Sequence, residues 1–382
     1  MSRRALFLAL AVAGAGSAQR LEAQASVYGV LGIGIPGRPM SVRARALGDG
    51  MGAVDPGSAL NPAALGLSQR LTVSGISETT NRKFSVGDVS SDNLRDTRFP
   101  YASVAGRIQT SPISFGVSYS IYTERSYDVE TTDTVSIRGA DVEVKDRLKS
   151  DGGIADIRFA VAWTLGPRFE VGAGVHLLSG STRERLQRVF SDPVYMPVSQ
   201  RGDVDYTGWG LSFGAVATPL RTLRVGAVVR RDSRLSVNDA LLPALEIQRP
   251  WSIAAGATLA PTRLLRLSVT AQHRSWSGAQ DDVPEWVEVT VFDTWEVGSG
   301  LEIGGPDVGA SRFPLRVGFR YAQLPFSPNA SQPREIGLSA GSGVLFASNR
   351  AFFEFSLERV LRDGGGATER AWQLALGLTL RP

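Results

Sequence analysis

The chain has no cysteine and only two histidines. The first absence excludes a disulfide framework, a thiolate metal site and a cysteine nucleophile. The second leaves little from which to build a histidine-based catalytic or metal centre. Long apolar runs are missing too: no later stretch approaches the roughly 18 consecutive apolar residues that a membrane-spanning helix needs. Excess charge of one sign is also scarce. Lys+Arg number 41 and Asp+Glu 37, a formal net charge of +4, with acids and bases interspersed. No basic stripe is available to neutralise phosphates, which excludes nucleic acid as a partner.

What the chain does have is glycine, 42 residues. Each costs roughly 1 kcal/mol in a helix relative to alanine, so the composition turns away from helix. At the start, Arg3 and Arg4 precede an apolar stretch from Ala5 to Ala15, and Ala23-Gln24-Ala25 offers a small-x-small cleavage site. Residues 1–25 therefore read as a secretory signal peptide, with an earlier cut after Ala18 as the alternative. Its removal takes three arginines and one glutamate, which lowers the net charge from +4 to +2.

From residue 71 onward apolar residues recur with a period of two. Ile113, Phe115, Val117, Tyr119 and Ile121 alternate with Ser114, Gly116, Ser118 and Ser120, and Trp372 to Leu380 repeat the pattern at the end. Such runs predict about fourteen strands, whose links take turns between short (TSP, GPR, TPLRT, APTR, ASNRA) and long and polar. A soluble sandwich has no reason to sort its links this way. The expectation is an all-β fold, a transmembrane outer-membrane β-barrel of about 14 antiparallel strands over 71–382. Tyr101, Trp209, Trp251, Trp276 and Trp372 are expected in an aromatic girdle at the long-loop ends, and Trp163 at the other. Asp156, Arg158, Arg224, Arg230, Arg266, Arg316, Arg320, Glu354 and Glu358 fall on the opposite, inward parity. A charge facing lipid at the midplane would cost about 2–4 kcal/mol. The alternative is the wet face of a soluble sheet.

Between leader and barrel, residues 26–70 contain GDGMGAVDPGSALNPAALG. The stretch lacks the lysine of a phosphate-binding loop and the spacing of a dinucleotide fingerprint. Asn61 as a cap with Pro62 at the first helical position predicts a short helix. A compact small-residue segment in this place is expected to plug the periplasmic mouth as a hatch, the alternative being a loose tail.

The run ARALGDGMGAVDPGSALNPAALG, residues 44–66, resembles the hatch of the FadL-type long-chain fatty-acid transporter family of outer-membrane barrels, and is also similar to PorV-type barrels that assist secretion. The resemblance implies a fourteen-stranded barrel with an N-terminal hatch that carries Asp55, Asn61, Pro62 and Ala63. Two features depart from it: SVYGVLGIGIPGRP before the hatch, and the LTLRP ending without a terminal aromatic residue.

Function is expected to be passive uptake of hydrophobic small molecules such as long-chain fatty acids, by a monomer in the bacterial outer membrane, without cofactor, metal or enzymatic activity. Inward Arg158, Arg266, Arg316, Arg320 and Glu354 are the lumen candidates: the arginines either bind a carboxylate head group or brace the wall against Glu354 and Glu358. The strand glycine Gly116 is a candidate for a kink that opens a lateral exit. Ser275 beside His273 is the one pair that suggests a lipid-cleaving site, and Asp281-Asp282 reads as a solvated pair. The alternative function is a PorV-type barrel that docks secreted proteins. A transporter needs a continuous apolar pocket, whereas a docking barrel needs exposed loop surface.

Overall fold

The computed structural model describes residues 26–382 except 69, 88, 91–93, 110, 240–244, 284–287, 305–312 and 348–349. The leader expected at residues 1–25 lies outside them. Fourteen strands form the barrel: β1 (Thr72–Val86), β2 (Leu94–Arg107), β3 (Ile113–Glu124), β4 (Ala140–Thr164), β5 (Phe169–Phe190), β6 (Val198–Leu220), β7 (Leu223–Asp232), β8 (Trp251–Leu259), β9 (Leu265–Arg274), β10 (Thr294–Ile303), β11 (Leu315–Gln323), β12 (Arg334–Phe346), β13 (Ala351–Gly364) and β14 (Ala367–Leu380). Each pairs antiparallel with its neighbours. β1 closes on β14 from Val73↔Leu380 to Val86↔Ala367. Closure pairs every wall strand on both sides, the condition for placing strands in lipid.

The two-residue rhythm sorts the faces. On β14, Trp372, Leu374, Leu376, Leu378 and Leu380 are exposed on the outside, while Ala371, Gln373 and Ala375 face in. Trp209, Trp251, Trp295 and Trp372 stand exposed toward the long-loop end, with Trp163 at the short-turn end. Tyr101 and Trp276 do not join this girdle, being only 2% exposed each. Two residues of β2, Phe99 and Pro100, oppose Ser77 of β1 in a bulge. That extra residue resets the parity, and Tyr101 points inward against Val42, Ala59 and Ile76. Trp276 lies past the end of β9 and meets Phe326 edge-on at 5.6 Å in an apolar cap over the barrel mouth.

The link of β13 to β14 is a tight turn at the long-loop end, through Gly364, Gly365 and Gly366, all at positive φ. The sorting of links is therefore not strict. β4, β5 and β6 run 25, 22 and 23 residues, against nine for β8. Outward residues of β5 change from Phe169, Val175 and Leu177 to Ser179, Ser181, Arg183 and Arg185. Residues 179–190 accordingly extend ~40 Å along the strand beyond the apolar band. The strand Tyr127–Ile137 continues β3 upward and pairs with β4, making a wing of four strands.

The N-terminal segment fills the lumen along its length rather than its mouth alone. Tyr28 donates to the carbonyls of Gly364 and Ala367 at the long-loop end. The helix α1 (Val42–Ala46) packs on β11, β12 and β13 midway, and the 3₁₀ turn Pro62–Leu67 reaches β4 and β5 at the short-turn end.

Candidate functional site

Wall glycines seat the hatch. A Cβ on Gly318 would sit 2.1 Å from Gly48 N, and one on Gly172 would sit 2.5 Å from Ala63 N, so both positions need hydrogen for the backbones to meet. Asn61 is fully buried and its side chain does two jobs. Its Oδ1 accepts Ala63 N–H at 3.0 Å, the expected cap, while Nδ2 donates to Ala53 O at 2.8 Å and lies 3.3 Å from the carbonyls of Ala215 on β6 and Ala227 on β7. The capped element is a 3₁₀ turn, the form favoured by such a short piece. Asp55 folds the hatch back on itself: its carboxylate accepts from Ser41 Oγ at 2.6 Å, Ser58 Oγ at 2.5 Å and Gly57 N at 3.2 Å.

Ion pairs fasten hatch to wall. Glu302 on β10 accepts from Arg43 of α1 at 2.6 and 2.8 Å, from Arg316 on β11 at 2.7 Å and from Arg266 on β9 at 3.1 Å. Arg316 also reaches Glu354 on β13 at 2.7 Å. Arg38 bridges Asp49 at 2.7 Å and Glu358 at 2.6 Å, and Arg45 pairs with Glu78 on β1. Such pairs, removed from water, fix one arrangement more than they stabilise it.

Toward the long-loop end the wall parts. β2 and β3 pair only as far as Tyr101↔Ser120. Above that point β2 stays with β1, and the free edge of β3 instead takes the short strand Ile35–Pro36, with Ile35↔Glu124 and Pro36↔Thr123, while Gly37 N–H donates to Tyr122 O at 2.8 Å. Proline at 100 supplies no donor to continue the ladder. An ion pair of Arg98 on β2 with Glu124 on β3 spans the parting. Gly116, the candidate kink, lies below it, in register with Ala105.

Behind the parting is a small solvent-connected cavity. Its wall includes Arg38, Arg45, Arg82, Arg98, Arg320 and Arg362, with Glu78, Glu124, Glu296 and Glu335, and Ile35 to Gly37, a strap laid along β3, form one side. Arg82 is 4% exposed, and its Nε has no hydrogen-bond partner; neither has Arg38 Nη2.

Of the residues expected in the lumen, Arg320 borders this cavity, within reach of Glu335, Glu358, Glu296 and Asp49. Arg158 lies elsewhere and donates to Ala59 O of the hatch at 2.8 Å. Arg266, Arg316 and Glu354 are bound in the Glu302 cluster described above. Arg82 and Arg98 were not legible because regular alternation in the sequence stops near residue 78 and the bulge breaks the parity of β2. The Ser275 hydroxyl accepts from Trp251 N–H at 3.2 Å while His273 lies against the Trp295 ring at 4.8 Å. Asp282 takes Arg234 and Gln248 N–H instead of being solvated.

A different trio does align. His176 Nδ1 lies 2.9 Å from both Asp156 oxygens, and Nε2 lies 2.9 Å from Ser212 Oγ. The order resembles a serine hydrolase triad. Ser212, however, is only 1% exposed, and Asp156 also takes Arg230 at 2.6 Å, so the trio ties β4, β5, β6 and β7 together. Among the described residues no acidic or histidine cluster has the makings of a metal site.

A family model described as BamG matches residues 1–239. No curated protein matches the chain. Solved structures do. The Ralstonia pickettii toluene transporter TbuX shares 16% identity over 90% of this chain and 98% of its own, at a TM-score of 0.62. A Pseudomonas aeruginosa FadL homologue shares 14% over 92% and 100%, at 0.61, and the monoaromatic hydrocarbon channel CymD shares 15% over 92% and 98%, at 0.60. At such identities the likeness is one of fold, a FadL-like outer-membrane barrel with its N-terminal segment inside.

Proposed function

The chain belongs to the BamG family, and we propose that it is an outer-membrane barrel for passive uptake of hydrophobic compounds, admitted sideways between β2 and β3. The parting of those strands carries the reading: it lies level with the upper edge of the apolar band and is closed by the short strand Ile35–Pro36 and an ion pair rather than by a ladder between β2 and β3. The toluene and monoaromatic hydrocarbon channels of the same fold support transport of apolar cargo. The cavity is lined by arginines and glutamates and is not the continuous apolar pocket expected of a transporter. We therefore narrow the cargo to amphiphiles with an apolar tail and an anionic head, the head set against Arg82 and Arg38. Long-chain fatty acids meet that description.

The test is equilibrium binding of hexadecanoate and of its methyl ester to the full-length barrel in lipid nanodiscs. The acid should bind at least about tenfold tighter, a difference near 1.4 kcal/mol, and Arg82→Gln should abolish the difference. Equal binding of acid and ester by the native barrel would contradict the assignment of the head group.

The wing favours a second reading, a barrel that docks other proteins as PorV-type barrels do. It projects well beyond the lipid band, which a pore through the membrane does not require.

A further inference from the structure

Charge is segregated at the short-turn end of the barrel. Arg168 stands between β4 and β5, Arg221 between β6 and β7, Arg263 between β8 and β9, and Arg350 between β12 and β13. Arg70 comes just before β1 and Arg381 just after β14. The first five are exposed and Arg381 is partly so, and none of the six guanidinium groups has an ion pair or hydrogen bond among the described residues. Between β2 and β3 the cation is already engaged, Arg107 Nε donating to Ser111 O at 2.8 Å. No acid occupies the described part of any of these links. In a chain of 41 bases and 37 acids that is a local excess of one sign.

The six form two arcs. Thr218 N–H donates to Arg168 O at 2.8 Å and Ala260 N–H to Thr222 O at 2.7 Å, which sets the turns of Arg168, Arg221 and Arg263 side by side. Arg381 N–H donates to Arg350 O at 2.7 Å, and Val73 lies opposite Leu380, so Arg350, Arg381 and Arg70 end three neighbouring strands. Like charges so placed repel, and an anion between them reverses the sign of the interaction. Their level is set by what they adjoin. Arg70, Arg168, Arg221, Arg263 and Arg381 are each next in sequence to an apolar residue, Leu71, Phe169, Leu220, Leu264 and Leu380, that is left 40 to 60% exposed. One residue advances a strand by about 3.3 Å, so these cations reach the headgroup layer where the hydrocarbon ends. An acidic protein partner would call for charges carried clear of the lipid on longer loops.

We propose that this rim binds anionic phospholipid of the adjoining leaflet. Each guanidinium takes a headgroup phosphate in paired hydrogen bonds while the neighbouring apolar side chain lies among the acyl chains. The rim thereby fixes the depth of the barrel and gathers anionic lipid around its periplasmic mouth. It depends neither on uptake through the wall nor on docking by the wing.

The test reconstitutes the full-length barrel in phosphatidylcholine vesicles with a trace of spin-labelled phosphatidylglycerol or spin-labelled phosphatidylcholine. Electron spin resonance reads the fraction of label immobilised at the protein. Phosphatidylglycerol should associate at least about threefold more strongly, and about 1 M salt should remove the preference. Arg168→Gln with Arg221→Gln and Arg263→Gln should lower it part way, as should Arg350→Gln with Arg381→Gln and Arg70→Gln, and unchanged heat-modifiable migration checks that each triple variant folds. Glutamine at the exposed wing residues Arg183, Arg185 and Arg201 should leave the preference as it is. Equal association of the two lipids with the native barrel, or a preference that survives whole in both triple variants, overturns the rim. Equal association together with an acidic protein photocrosslinked at Thr222 in cells would make the rim a protein-docking surface instead.

Discussion

Arg98 on β2 and Glu124 on β3 form an ion pair across the parting in the barrel wall, and Arg98 is held on its other side by Glu78 at 2.7 Å. Both partners of the spanning pair are partly exposed, so it is a latch of small energy, within about 1 kcal/mol. Glu124→Gln should leave the melting temperature of the barrel unchanged within a degree or two. It should speed amide exchange at Gly37, whose N–H is bonded to Tyr122 O beside the latch. Exchange mass spectrometry of the two barrels decides this, and unchanged protection at Gly37 would mean the latch does not hold the strap.

Gly318→Val places a side chain where Gly48 N now lies. The fourteen strands should still close, because the wall face toward lipid is untouched. The hatch should lift, and limited proteolysis should then cut within residues 44–66 while the barrel band survives. A hatch that stays resistant would show that the wall yields in its place.

Asn61→Ala removes the cap and three carbonyl contacts in one step. Loss of such a cap costs about 1 kcal/mol, and carbonyls left unsatisfied raise the figure to roughly 2–4 kcal/mol. Asn61→Asp keeps the cap acceptor but sets a second oxygen against the three carbonyls in a fully buried place, so it should destabilise the hatch at least as much as Asn61→Ala, as read from denaturant titration of hatch protection.

The hatch should also release at low pH. Burial pushes the Asp49 carboxyl up, but Arg38 and Arg320 draw it down further, and the net result lies below the ordinary aspartate value. A lowered folded value means the Asp49 contribution is complete above the unfolded value of about 3.9 and is lost as pH falls through the folded one. Hatch protection should therefore be flat from neutral to about pH 5 and decline below about pH 4. Asp49→Asn should flatten that decline.

The barrel was legible in the sequence because lipid enforces one-sidedness: β14 and the membrane-level stretches 113–120 of β3, 154–163 of β4 and 173–178 of β5 alternate, and their inward charges share one parity. The Asn61-Pro62 cap was legible for the same kind of local reason. Tyr101 failed because a single extra residue at Phe99 and Pro100 inverts everything beyond it, and alternation alone does not locate a bulge. Trp276 failed because its surroundings are a cap assembled from distant loops. Arg38, Arg82 and Arg98 come together only when the strap, β1 and β2 close around one cavity, a coincidence of topology that no single stretch records. The strap's course was hidden likewise: its small residues suit packing, but which end of the lumen they reach depends on where Tyr28 finds Gly364.

The most direct measurement uses a chain free of native cysteine. Pro36 and Thr123 lie opposite each other on the strap and β3, so Pro36→Cys with Thr123→Cys can lock the parting with a disulfide. Entry of a labelled long-chain fatty acid into cells carrying this barrel should stop under oxidation and return on reduction. Undiminished entry through the locked barrel would contradict passage between β2 and β3.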